Sequence, residues 1–262
     1  MNPALRAVAS CPYVEEDQEA QGTAPSVEGQ SRQASQHGPR LILLTELRLS
    51  ASPEPWRRLG LIFSSLASPS SATLSSGSPS AVPSFSIDGV RISFVEVSET
   101  EPTGLVGWSF LESSSELIDG VATGVADPSD SPVHPSGVVS IDQVVVMTPS
   151  LDRTCGAITA ATGLPLKRIR DAGGGVRQGF HRAGRVILEV VERPDLPADR
   201  PAHLWGVVLI VNDLDATVTR WGPDVVGAPR DAVQPGRRIA TVKSDVGLGT
   251  AVAIMSPHVS SS

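Results

Sequence analysis

The sequence predicts an α+β fold in which a βαβββ unit occurs twice in tandem, and three observations carry that prediction. First, SIDQVVVMTPSLDRTCGAITAATGLP lies on HLWGVVLIVNDLDATVTRWGP so that Leu151 falls on Leu214. Second, each copy runs from a β-rich stretch through a polar pair suited to cap a helix, Pro149-Ser150 or Asn212-Asp213, into apolar residues at helical spacing. Those residues are Leu151, Cys155 and Ile158 in one copy and Leu214, Val218 and Trp221 in the other, and each helix stops at a glycine, Gly163 or Gly222. Third, RDAGGGVRQGF from Arg170 is echoed by RDAVQPGRRIA from Arg230, and strand-like runs follow both, RVILEVVE and TAVAIMSP.

The remaining elements follow in chain order. Residues 1–39 are rich in Gln, Glu, Ser and Gly and poor in large apolar side chains, too poor to offset the entropy of ordering them, so a disordered tail is expected. From 40 to 126 the pattern is a weaker copy of the later one. TELRLSASPEPWRRLGL followed by SFSIDGVRISFVEV makes one unit, interrupted by a Ser/Pro-rich loop over 64–84. GLVGWSFLE and the amphipathic SELIDGVATGVA make the start of a second, cut short before its last strands. Residues 127–137, DPSDSPVHPSG, read as the linker between this degenerate, truncated region and the working domain at 138–258.

Composition narrows the function classes. The chain has 262 residues, 40% hydrophobic and 19% charged, with a net charge of −7 and no Lys/Arg run, so neither nucleic acid nor an anionic membrane is an expected partner. A small-molecule ligand is. No stretch reaches the roughly 18 apolar residues of a spanning helix, and the N-terminus lacks a signal-peptide core, so a cytoplasmic protein is expected. Its two cysteines, Cys11 and Cys155, are read as reduced.

Two βαβββ units with openings such as IDQVVV…SLD and WGVVLIV…DLD resemble the vicinal-oxygen-chelate superfamily, which includes glyoxalases, bleomycin-resistance proteins and extradiol dioxygenases. The resemblance covers 138–258. It implies a curled mixed sheet wrapped around a cleft, with a homodimer as one permitted assembly. It also assigns places to the family's metal ligands. Gln143 and Gly206 stand where family members carry a His or Gln on the opening strands, Glu189 stands at one carboxylate position, and Val252 or Ala253 at the other. Two donors are too few for Zn, Fe, Mn or Ni, so no metal and no cofactor is expected. His181 lies on a strand with one face toward the cleft, and Glu46, in the matching opening TELRLS, is a tempting donor from the first half.

The expected function is therefore binding or transformation of a small polar or carboxylate-bearing molecule. Glu189 is the candidate general base, a role that burial among Ile187, Leu188 and Val190 would favour by raising its pKa. Gln143, Gln234 and Arg238 are candidate polar contacts; Arg237 and Arg238 bring two guanidinium groups onto a turn and the strand after it, where one could bind a carboxylate bidentately, and Arg238 is the one chosen. Phe180 and Trp205 are candidate apolar walls. The alternatives are a metal-dependent lyase, isomerase or dioxygenase of the same superfamily and a non-catalytic drug- or metabolite-sequestering protein.

Overall fold

The computed structural model describes residues 42–66, 82–97 and 103–258. The expected tail at 1–39, with Cys11, and the middle of the Ser/Pro-rich segment lie outside these residues. The ends of that segment are not loop: Ser64–Leu66 and Val82–Ile87 are antiparallel strands.

The first half runs β1 (Leu44–Ser50), α1 (Glu54–Arg58), β2 (Ser64–Leu66), β3 (Val82–Ile87), β4 (Val90–Val95), β5 (Gly104–Phe110), β6 (Leu117–Ile118) and β7 (Val121–Val125). Its strands form one 7-stranded sheet in the order β2-β3-β4-β1-β5-β7-β6. The opening strand β1 lies parallel to its closing strand β4, and β5 lies parallel to β7. β1 and β5 pair antiparallel at the centre. The first copy is thus a full βαβββ unit. The second keeps its opening strand and its closing hairpin, having lost a helix and one strand from its middle. The expected truncation before the last strands is corrected: β7 is retained, and it covers the edge of β5, which would otherwise expose a row of unpaired backbone groups.

The second half runs β8 (Val138–Thr148), α2 (Leu151–Thr162), β9 (Arg168–Asp171), β10 (Arg177–Ala183), β11 (Val186–Glu192), β12 (His203–Val211), α3 (Leu214–Trp221), β13 (Arg230–Asp231), β14 (Arg238–Thr241) and β15 (Ala251–Met255). Both helices are capped by the residues the repeat implied. Ser150 accepts from the Arg153 N–H, and Asp213 from the Ala216 N–H at 2.9 Å. The 8-stranded sheet has the order β13-β14-β15-β12-β8-β11-β10-β9, with β8 and β12 antiparallel at its centre and each parallel to its own closing strand.

The two sheets share one core. Leu47, Leu49 and Ile92 of the first meet Ile141, Val207 and Leu209 of the second around a residual void of only about 10 Å³. Between the halves, residues 126–137 carry no strand or helix. His134 in this segment is nevertheless buried, accepting from the Ile62 N–H at 2.9 Å while its Nε2 lies 2.8 Å from the Ser86 carbonyl. That pairing uses the neutral ring with its hydrogen on Nε2.

Candidate functional site: a buried polar group inside the C-terminal sheet

One face of the 8-stranded sheet packs on the shared core; the other is its concave side. Side chains alternate between them. β8 and β11 are parallel neighbours with Gln143 opposite Ile187 and Val145 opposite Glu189, so Gln143 and Glu189 point to the same side. On β10, Phe180 lies opposite Glu189 and Gln178 opposite Val191, and on β9 Arg170 lies opposite Gln178. Ile141, Val144 and Val146 all belong to the shared core, so alternation must break between them. It breaks at a slip in the β8–β12 register between Gln143–Val208 and Ile141–Leu209. This bulge turns Asp142 as well as Gln143 away from the core.

The result is a polar group enclosed by Val145, Met147, Val191, Val208, Ile210, Ile239, Ala253 and Met255. Gln143 and Glu189 are 0% exposed. The Gln178 amide donates to Glu189 Oε1 at 2.7 Å. Arg237, on the turn before β14, places Nη1 3.2 Å from Asp142 Oδ1, donates through the same nitrogen to Gln234 Oε1, and through Nε to the Ser256 carbonyl at 3.1 Å. His258 Nε2 stands 3.3 Å from Arg237 Nη1. Burial pushes the Glu189 carboxyl up to about 8; the Arg170 guanidinium opposes the rise and the Asp142 carboxylate adds to it.

Several buried polar atoms here have no hydrogen-bond partner among the described residues: both amide atoms of Gln143, Glu189 Oε2, Asp142 Oδ2, Arg170 Nη1 and Arg237 Nη2. Each such atom costs about 1–3 kcal/mol when left unpaired. These atoms belong to side chains of β8, β9, β11 and the turn before β14.

The structure sorts the residues nominated from sequence. Gln143, Glu189, Phe180 and Gln234 lie on or beside this polar group, Phe180 packing on Ile187 with the Arg168 guanidinium 5.4 Å from its ring centre. Trp205 is half-buried, packs on the rim of the apolar enclosure, and lines a separate cavity. Arg238 does not reach the group. It shares a face with Ala240 of the main core and extends outward to Asp215 on α3 at 2.8 Å, because the alternation of β14 turns Ile239 inward instead. The inward guanidinium is that of Arg237, one residue earlier. His181 points away from the concave side, its Nδ1 3.1 Å from the Leu164 carbonyl behind α2. Glu46 is engaged by Ser93 at 2.6 Å and Ser109 at 2.9 Å within the first sheet, far in register from the polar group. Cys155 is buried with its thiol pushed up to about 12, chiefly by burial, so it stays protonated.

The residues at the four ligand positions implied by the fold do not suit a metal. Gln143 and Glu189 offer oxygen, and Ala253 offers nothing. At Gly206 an added Cβ would lie 2.5 Å from the Ala251 carbonyl oxygen, so no ligating side chain fits there. Arg170 beside Glu189 is a further obstacle to a cation. Among the described residues no three His, Cys, Asp or Glu side chains converge.

No protein-family model and no curated protein matches the chain. Solved structures do. A variant of 4-hydroxymandelate synthase from Streptomyces coelicolor superposes with a TM-score of 0.54 at 13% identity, covering 84% of this chain and 94% of that one. Methylmalonyl-CoA epimerase from Mycobacterium tuberculosis aligns over 47% of this chain and 91% of its own at 18% identity, with a TM-score of 0.39. The first match spans both sheets and carries the assignment at the level of fold. Paired βαβββ units, central opening strands and a full-length counterpart together show that this chain has the vicinal-oxygen-chelate fold in a doubled form, its second unit shortened.

Proposed function

We propose that the C-terminal sheet binds a small organic acid without a metal, and that Glu189 exchanges a proton with it. The observation that carries this reading is the set of unpartnered buried atoms around Glu189. Arg170 and Arg237 supply N–H donors for a carboxylate or a developing enolate oxygen. Gln143 supplies one donor and one acceptor and so fixes the ligand's orientation. A carboxyl group held near 8 is well placed to take or return a proton at neutral pH. The reaction class would be proton abstraction beside a carbonyl, with the electron pair moving onto the carbonyl oxygen next to the guanidinium groups.

The test is a thermal-shift screen of small carboxylates and hydroxy-acids against the full chain, followed by proton NMR of any hit in deuterated buffer. A ligand at 100 times its dissociation constant should add about 2.7 kcal/mol of stability. Binding should weaken more than tenfold in Gln143→Ala and in Arg237→Gln and stay unchanged in Arg238→Gln. Loss of the ligand's C–H signal in wild type but not in Glu189→Gln supports proton exchange; binding with no exchange leaves a sequestering protein. Hits that bind Gln143→Ala and Arg237→Gln as tightly as wild type would rule out this site.

A further inference from the structure

A second site lies where the halves meet and shares no residue with the polar group around Glu189. It is a cavity of about 1130 Å³ at the ends of β12, β14 and β15, closed on its other side by Ser50–Ser52 and the start of β5. That is at or above the usual size of a small-molecule pocket, which runs to about 1,000 Å³. The walls are tied together across the two halves. The Trp56 indole donates to the Leu248 carbonyl at 3.0 Å, and Gly249 approaches Ala51 so closely that a Cβ would lie 2.3 Å from the alanine methyl.

The lining is chemically one-sided. The chain has 28 acidic against 21 basic residues, yet among the described residues no Asp or Glu lines this cavity while Arg230 and Lys243 do. Neither cation makes an ion pair among the described residues, whereas Arg153, Arg177, Arg193, Arg237 and Arg238 all do. Trp205 offers a half-buried aromatic surface, and Thr241, Ser244 and Thr250 add hydroxyls. His203 adds an orphaned atom, its buried Nδ1 having no partner among the described residues. Burial and the charge of Arg200 hold that ring below the usual histidine range, so it contributes a neutral donor–acceptor pair.

We propose that this junction cavity binds a flat, aromatic organic anion, its charge set between Arg230 and Lys243 and its ring system against Trp205. Two unpaired cations within a concave wall attract an anion more strongly than either does on open surface. A tryptophan face suits a planar body.

The probe is 8-anilinonaphthalene-1-sulfonate, compared with N-phenyl-1-naphthylamine, which has the same ring skeleton and no charge. Fluorescence titration of the full chain should show saturable binding of the sulfonate at least tenfold tighter than of the uncharged compound. The doubly substituted Arg230→Gln, Lys243→Gln protein should lose that preference, and Trp205→Leu should weaken both compounds. Arg238→Gln, which removes the same kind of charge outside the cavity, should keep the preference, as should Glu189→Gln. The last result separates this site from the one proposed above. A preference that survives in the double variant, one that is lost equally in Arg238→Gln, or no saturable binding at all would overturn the proposal.

Discussion

At the scale of single residues, Glu189 ties the site to stability. Its folded pKa of about 8 lies above the ordinary 4.5, so between those values the folded chain holds a proton that the unfolded chain has released. Stability from this group is therefore fully present below about pH 4.5 and declines as pH rises, by up to roughly 1.4 kcal/mol per pH unit, until it levels off above 8. Urea unfolding at several pH values should show this decline in wild type and a flatter profile in Glu189→Gln; equal slopes would place the Glu189 pKa near its ordinary value. Gly206 is a second residue-scale case. Gly206→Ala sets a methyl against the Ala251 carbonyl and is expected to destabilise by about 1–3 kcal/mol, measured by the shift in urea midpoint. Sequence spacing located Gln143, Glu189 and Gly206 because they sit at repeated places ahead of, or after, a capped helix. The period-2 alternation of a strand places Gln178 on the same face as Phe180, so that residue was legible though unread. Arg237 was legible only as a neighbour of Arg238: a turn precedes β14, and on a turn alternation does not tell which of the two guanidinium groups points inward.

At the scale of elements, the closing hairpins of the first two units share one device. Ile87-Asp88-Gly89-Val90 joins β3 to β4, and Ile118-Asp119-Gly120-Val121 joins β6 to β7. In both turns the Asp and the Gly have positive φ, 47° and 87° in the first, 45° and 86° in the second, the pattern of a tight two-residue hairpin. The surroundings differ. A Cβ on Gly89 would meet nothing closer than 3.9 Å, whereas one on Gly120 would lie 2.5 Å from the Pro201 side chain. Asp119 also receives Arg153 at 2.9 Å and its carbonyl accepts from the Ala202 N–H, so this turn docks on the N-terminal end of α2. Gly89→Ala should therefore cost roughly 1–2 kcal/mol from backbone strain alone, and Gly120→Ala clearly more; equal losses by urea unfolding would show that the Pro201 contact relaxes freely. The matching IDGV strings are visible in sequence, as are both helix caps of the second half. The bulge at Asp142 is not, because its cause is a register slip between strands β8 and β12, which lie far apart in the chain, and no local pattern records it.

At the scale of the whole molecule, the shared core decides whether the halves can exist apart. A boundary in the 127–137 segment is natural from composition, yet the structure makes His134 of that segment a bridge between Ile62 and Ser86. Ile141, Val207 and Leu209 are 2%, 5% and 2% exposed only because Leu47 and Leu49 of the first sheet and Trp56 of α1 cover them. A fragment limited to 138–258 would present that face as one contiguous apolar patch, larger than monomeric proteins tolerate. Each fully uncovered Leu or Ile forfeits roughly 1.5–3 kcal/mol of burial, so a few such residues match the stability of a whole domain. The two sheets are accordingly expected to unfold as one unit. Native-state hydrogen exchange tests this directly: the slowest amides of β1 and of β8 should open with the same free energy and respond equally to denaturant. Trp56→Phe, which removes the hydrogen bond to Leu248, should lower both together. If β1 opens at a distinctly lower free energy while β8 remains protected, the halves are separate folding units and the shortened first sheet is a cover that the second can do without.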